Sequence, residues 1–169
     1  MTPIPPATVQ VVVVMGVAGS GKSTVGKALA AALGWRFVDA DDHHSPANVA
    51  KMARGEPLDD ADRLPWLDEL HGIIADALGR RAGLVLACSA LKARYRERLT
   101  GGDARVRFAY LAGTPELLRS RLAQRAGHFM KPGMLDSQLA ALEPPAEAIE
   151  VDAALPVEAI VAHVCAALG

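Results

Sequence analysis

The seven residues VQVVVVM, 9–15, run directly into GVAGSGKST, 16–24, and then into an alanine- and leucine-rich stretch closed by Gly34. A β-branched run of this kind reads as a strand covered on both faces. Residues 22–33 read as a helix with a glycine stop. Between them Gly16, Val17, Ala18, Gly19, Ser20, Gly21, Lys22 and Ser23 match the spacing G-x-x-x-x-G-K-[ST], and Thr24 follows. Glycines permit backbone angles that turn successive N–H groups inward to form an anion nest. The following helix points its N-terminus at the same spot. Lys22 would reach the β- and γ-phosphates of a nucleotide, and Ser23 would hold Mg²⁺. A chance glycine-rich turn has no need of a strand before it and a helix after it, and both are present. The expectation is a nucleoside triphosphate held by residues 16–24, with ATP and Mg²⁺ as cofactors.

The rest of the chain continues the alternation. Strands are predicted at 36–39, 83–88, 106–111 and 149–152. Helices are predicted at 46–54, 65–81, 91–99, 115–126, 135–142 and 157–168, with Pro65 in the first turn of its helix. Alternating strand and helix implies a parallel sheet with helices on both faces. No repeat or low-complexity tract interrupts it, and the loops are short, so one domain over 1–169 is expected. The glycine- and proline-bearing stretch 127–134 is the exception and has the character of a mobile cover.

Bulk properties exclude several partners. The 169 residues are 51% hydrophobic and carry 18 basic against 19 acidic side chains, a net charge of -1. No global field recruits nucleic acid or an anionic membrane. Aromatics make up only 4% of the chain, too few for a base-stacking platform. Cys88 and Cys165 lie far apart in apolar runs, which fits two buried thiols in a reducing compartment. The opening MTPIPPATVQ lacks a charged leader and a long apolar core, and no apolar run is long enough to span a bilayer. A cytoplasmic protein is expected.

The acidic cluster FVDADDHH places Asp39 and Asp41 at the C-terminal end of the second strand, the edge at which open α/β sheets bind ligands. Residues two apart in an extended segment share a face. Such a pair has two jobs available: orienting Mg²⁺, and accepting a proton from a substrate hydroxyl. We assign the first to Asp39 and the second to Asp41, with Asp42 solvated. Cationic candidates follow: Arg63, then Lys92, Arg94 and Arg96, then Arg121 and Arg125. Arg121 and Arg125 are four apart and share a helix face beside the expected cover. Phosphoryl transfer requires such charges, delivered when a lid closes. His44 and His128 stand in the same two regions and suit substrate contact or capping better than zinc.

Taken in order, GVAGSGKST, DADDHH, NVAKMARGEPLDDADRLPWL, CSALKARYRERL and RLAQRAGHFM…MLDSQLAALEPP resemble the small P-loop gluconokinases, over nearly the whole chain. The resemblance implies a three-layer α/β/α fold with a five-stranded parallel sheet and a small lid at about 121–134. It implies transfer of phosphate from ATP to D-gluconate, giving 6-phospho-D-gluconate and ADP, in carbohydrate-acid catabolism. It further implies Asp41, His44, Arg63, Lys92 and His128 around the sugar acid, Ser23 and Asp39 at the metal, and Lys22, Asp41, Arg121 and Arg125 in catalysis. The turn after Asp152 would lie near the adenine. Homodimers are common in the family. One departure shows: the pattern Asp-x-Asp-x-x-His-Pro here ends His44-Ser45, with proline moved to Pro46, so His43 is an alternative to His44. Two other readings stand beside this one. A shikimate-kinase-like enzyme should carry a glycine-rich segment after the third strand, where this chain has ACSALK. A non-catalytic ATP-binding module would not require the second carboxylate.

Overall fold

The computed structural model describes residues 8–124 and 132–169. Five parallel strands form one sheet in the order β2-β3-β1-β4-β5. They are β1 Val11–Met15, β2 Arg36–Asp39, β3 Leu84–Ala87, β4 Val106–Ala112 and β5 Ile149–Asp152. The helices are α1 Lys22–Leu33, α2 Pro46–Ala53, α3 Asp60–Arg80, α4 Ala93–Thr100, α5 Pro115–Ala123, α6 Pro132–Ala141 and α7 Val157–Leu168. A 3-10 turn, Ala40–His43, follows β2.

Strand β1 is buried throughout, and its side chains alternate between two cores. Val11, Val13 and Met15 pack with Leu67, Leu70 and Ile74 of α3 and Leu99 of α4. Val12 and Val14 pack with Val25 and Leu29 of α1 and Ile160 and Val164 of α7. The expected three-layer α/β/α arrangement follows. Truncating Leu70 or Ile74, both essentially inaccessible, to alanine costs about 2–5 kcal/mol. The strand order turns back at β1, so the loop leaving its C-terminal end sits at the middle of the ligand-binding edge.

Two expected boundaries move. Helix α3 begins at Asp60, because Asp59 and Asp62 form a reciprocal capping box. Pro65 is therefore inside the helix and not in its first turn. Helix α6 starts at Pro132, three residues before its expected start. Of the lid expected at about 121–134, residues 125–131 lie outside the described residues. Cys88 is buried, whereas Cys165 is only half-buried, and both are free thiols. Burial pushes the Cys88 thiol up to about 12, which keeps it unreactive.

Candidate active site

Met15 ends β1 and the chain coils at once. Gly16 has φ +153°, and a Cβ there would stand 2.7 Å from Ser20 Oγ. Gly19 has φ +85°, and its Cβ would meet Leu118 O at 2.9 Å. Only glycine fits both positions. The cap of α1 is Gly21, which supplies no side-chain acceptor, and the first turn of the helix holds no acidic residue. The leading N–H groups of α1 are thus left for an anion. Ser20 Oγ is buried without a partner among the described residues. Lys22 Nζ donates to Val17 O at 3.3 Å, so the ammonium lies over the loop.

The acidic pair forms differently from the expected extended segment. Asp39 ends β2 and its Oδ1 accepts the Asp41 N–H at 3.0 Å, capping the 3-10 turn. The two carboxylates therefore do not share the face of a strand, because the turn redirects the chain between them. Asp39 Oδ2 accepts the Ser23 hydroxyl at 2.6 Å. Asp41 points outward, with 69% of its side chain exposed.

A cavity of about 130 Å³ opens beside the loop. Gly19, Gly21, Lys22 and Ser23 line one side, Asp41, His44, Arg63 and Trp66 another, and Met134, Ser137 and Gln138 of α6 a third. Trp66 is fixed by its indole N–H donating to Ala40 O at 2.7 Å. His44 stacks on it, with ring centroids 4.2 Å apart and planes inclined by 16°. His44 Nε2 stands 4.0 Å from Asp41 Oδ1, and its side chain is only 4% exposed. Burial holds its pKa below the usual imidazole value; Asp41 opposes that shift and Arg63 adds to it. His43 instead reaches Glu69 Oε1 at 3.2 Å, outside the cavity lining. Of the two histidines that the sequence left open, His44 is the one in the cavity.

The cationic candidates separate. Arg63 lines the cavity. Lys92 is not among the lining residues; its Nζ lies over the Tyr95 ring, 5.8 Å from the centroid. Arg94 is committed to Asp60 at 2.6 Å. Arg96 is buried and structural, donating to Ala90 O at 2.7 Å and Glu143 O at 2.9 Å. Arg121 donates to Ser20 O at 3.2 Å and Ala153 O at 2.6 Å, tying the loop to the turn after β5. It lines a second cavity of about 370 Å³, with Gly19, Gly21 and Thr24 from the loop region, Ala153 and Leu155 from that turn, and Val157 from the start of α7. Arg125 and His128 lie outside the described residues.

Gln138 escaped sequence reasoning. Its Oε1 accepts the Ala18 N–H at 2.8 Å, although SQLAAL announces no phosphate-loop contact. Leu135 supports that approach by packing with Val17, Leu118 and Leu91.

A family model described as an AAA domain matches residues 11–145. The gluconokinase of Gluconobacter oxydans is 49% identical, over 80% of this chain and 76% of that protein. The thermoresistant gluconokinase of Escherichia coli is 41% identical, over 89% of this chain and 88% of its own length. The chain belongs to the gluconokinase family. A crystal structure of a gluconokinase from Sinorhizobium meliloti is similar in three dimensions, with a TM-score of 0.83 and 40% identity. It covers 97% of this chain and 93% of its own. This gluconokinase-family chain is accordingly an enzyme, a transferase of the P-loop kinase class, and the resemblance expected from its motifs is met. A non-catalytic module and a shikimate kinase are not favoured by these relatives. Among the described residues no helix is long and apolar enough to cross a membrane.

Proposed function

We propose that the enzyme transfers the γ-phosphoryl group of ATP to the terminal hydroxyl of D-gluconate, giving 6-phospho-D-gluconate and ADP. The observation that carries this reading is that one cavity has Lys22 and Ser23 on one side and Asp41, His44 and Arg63 on the other. An open-chain aldonate has a carboxylate at one end and its reacting hydroxyl at the other. Arg63, with Lys92 close by, supplies a cation for the first, and Asp41 a base for the second. The names of the relatives support the same acceptor.

Residues 16–24 would hold the triphosphate, with the base in the second cavity beside Arg121 and the turn after Asp152. Lys22 would offset charge on the β- and γ-phosphates. Asp41 would take the proton of the acceptor hydroxyl as its oxygen forms the new bond to phosphorus and the bond to ADP breaks. Ser23 and Asp39 form a pair of hard oxygen donors beside Lys22, a set that fits Mg²⁺ completed by water and phosphate oxygens. Bound there, the ion would supply charge neutralisation at the phosphates. Arg121, Arg125 and His128 would act from a small lid at about 121–134 on one domain spanning 1–169. A cytoplasmic homodimer completes the reading.

The test is ADP release with gluconate, shikimate, adenosine monophosphate or no acceptor, followed by phosphorus NMR of the product. Gluconate should give the fast reaction and a phosphate at its terminal position. Lys22→Met should melt normally and lose most activity. A preference for another acceptor would sink the reading, as would phosphate elsewhere on gluconate.

A further inference from the structure

We propose that Tyr95 is a positioning residue of the acceptor site, holding Arg63 to read the carboxylate of the aldonate, with the Lys92 ammonium kept on the same ring, outside the cavity lining, as added positive charge. The proposal rests on gluconate being the acceptor. It starts from how cations on and beside α3 and α4 are held. Arg94 is ion-paired with Asp60, and Arg98 with Asp68. Arg63 and Lys92 have no ion pair among the described residues. Arg63 Nη1 instead donates to the Tyr95 hydroxyl at 3.1 Å, and its guanidinium carbon lies 5.3 Å from the centre of the Tyr95 ring. Lys92 Nζ lies 5.8 Å from the same centre.

A neutral phenol holds a guanidinium without cancelling its charge, whereas a carboxylate would cancel it. The ring face does the same for an ammonium. Tyr95 itself is firmly placed: it is 4% exposed, and its hydroxyl donates to Asp60 Oδ1 at 2.6 Å. Burial, and then the bond to Asp60, raise its pKa, so the hydroxyl keeps its proton and Asp60 keeps that bond. Asp60 is in turn occupied by Arg94. The carboxylate nearest this cluster is thus engaged by Tyr95 and Arg94, and the charges of Arg63 and Lys92 remain for an anionic ligand. Arg63 comes from the first turn of α3 and Lys92 from the cap of α4, and Tyr95 is the side chain that both touch.

Tyr95→Phe removes the hydroxyl and keeps the ring. The KM for gluconate should rise about fivefold to tenfold, with kcat and the KM for ATP each within about twofold. Asp60→Asn, which weakens the hold on the hydroxyl, should move the gluconate KM in the same direction by a smaller factor, and it serves as the check if Tyr95→Phe folds poorly. In an Arg63→Lys background, Tyr95→Phe should raise that KM by less than about twofold, because the bond it removes is already gone. The proposal is overturned if Tyr95→Phe leaves the gluconate KM unchanged, or costs the same factor with and without Arg63. It is also overturned if kcat and the KM for ATP move as much as the KM for gluconate. Arg63→Lys leaving the gluconate KM unchanged would instead strike at the reading of Arg63 as the carboxylate's partner.

Discussion

The backbone N–H of Ala18, third residue of the phosphate loop, donates a 2.8 Å hydrogen bond to Oε1 of Gln138, 120 residues further along the chain. Ala18 lines the cavity proposed for the acceptor and not the other one. The bond therefore fixes the half of the loop over which the phosphoryl group would travel. Gln138→Leu keeps the bulk and removes the acceptor. One such bond is worth about 1 kcal/mol of stability, so the melting temperature should fall by only a few degrees. Misplacement of reacting groups is costlier, and kcat should drop about tenfold while the KM for ATP stays within about threefold. Steady-state kinetics with both substrates varied would check this, and a normal kcat would refute it.

Asp41 and Asp39 should separate in kinetics. A positioned base contributes about 10²–10⁴ in rate, and a loose transition state asks less of it. Asp41→Asn should lower kcat by about 10². Asp39→Asn weakens the acceptor of the Ser23 hydroxyl and should raise the Mg²⁺ concentration needed for half-maximal rate. Titrating Mg²⁺ in both variants tests the division, and the opposite pattern would exchange the roles.

His44 gives a pH signature. Its folded pKa lies below the ordinary value near 6.5, mainly because it is buried against Trp66, with Arg63 adding and Asp41 opposing. The unfolded chain therefore binds this proton more tightly than the folded one. The His44 contribution to stability is complete above the unfolded pKa, declines as pH falls below about 6.5, and levels off below the folded pKa. Between pH 7.5 and 5.5 the melting temperature of the wild type should fall more steeply than that of His44→Gln. Parallel curves would mean that the imidazole titrates as it does in water.

Arg121 bonds two carbonyls, one on the phosphate loop and one after β5. Arg121→Ala releases both and takes a positive charge from beside the loop. We expect a loss in kcat, a rise in the KM for ATP, and a KM for gluconate within about twofold. A change confined to the gluconate KM would place Arg121 in the acceptor pocket instead.

Local signals carried the nucleotide half of the site. Strand β1, the glycines, Lys22 and α1 are neighbours in sequence, and α1 and β2 run between the residues expected for them. The start of α3 was harder. Proline at a first helical position is a sound prior, but here the capping box of Asp59 and Asp62 lies further upstream and decides the boundary. Asp39 and Asp41 were legible as residues, yet their geometry depends on a 3-10 turn that DADDHH does not announce. Gln138 and Tyr95 act through partners 120 and 32 residues away, so no local spacing reveals them. The choice between His43 and His44 also needed Trp66, which arrives from another helix.

Gly19 and Gly21 line both cavities, so the two compartments are separated by little more than loop backbone. Donor and acceptor can enter by different doors and reside together, with no side chain needed to carry the phosphate from one to the other. With the proposed donor and acceptor in these cavities, a ternary complex should form, giving intersecting double-reciprocal plots, inversion of configuration at phosphorus, and tight binding by compounds that tether an adenosine polyphosphate to an aldonate.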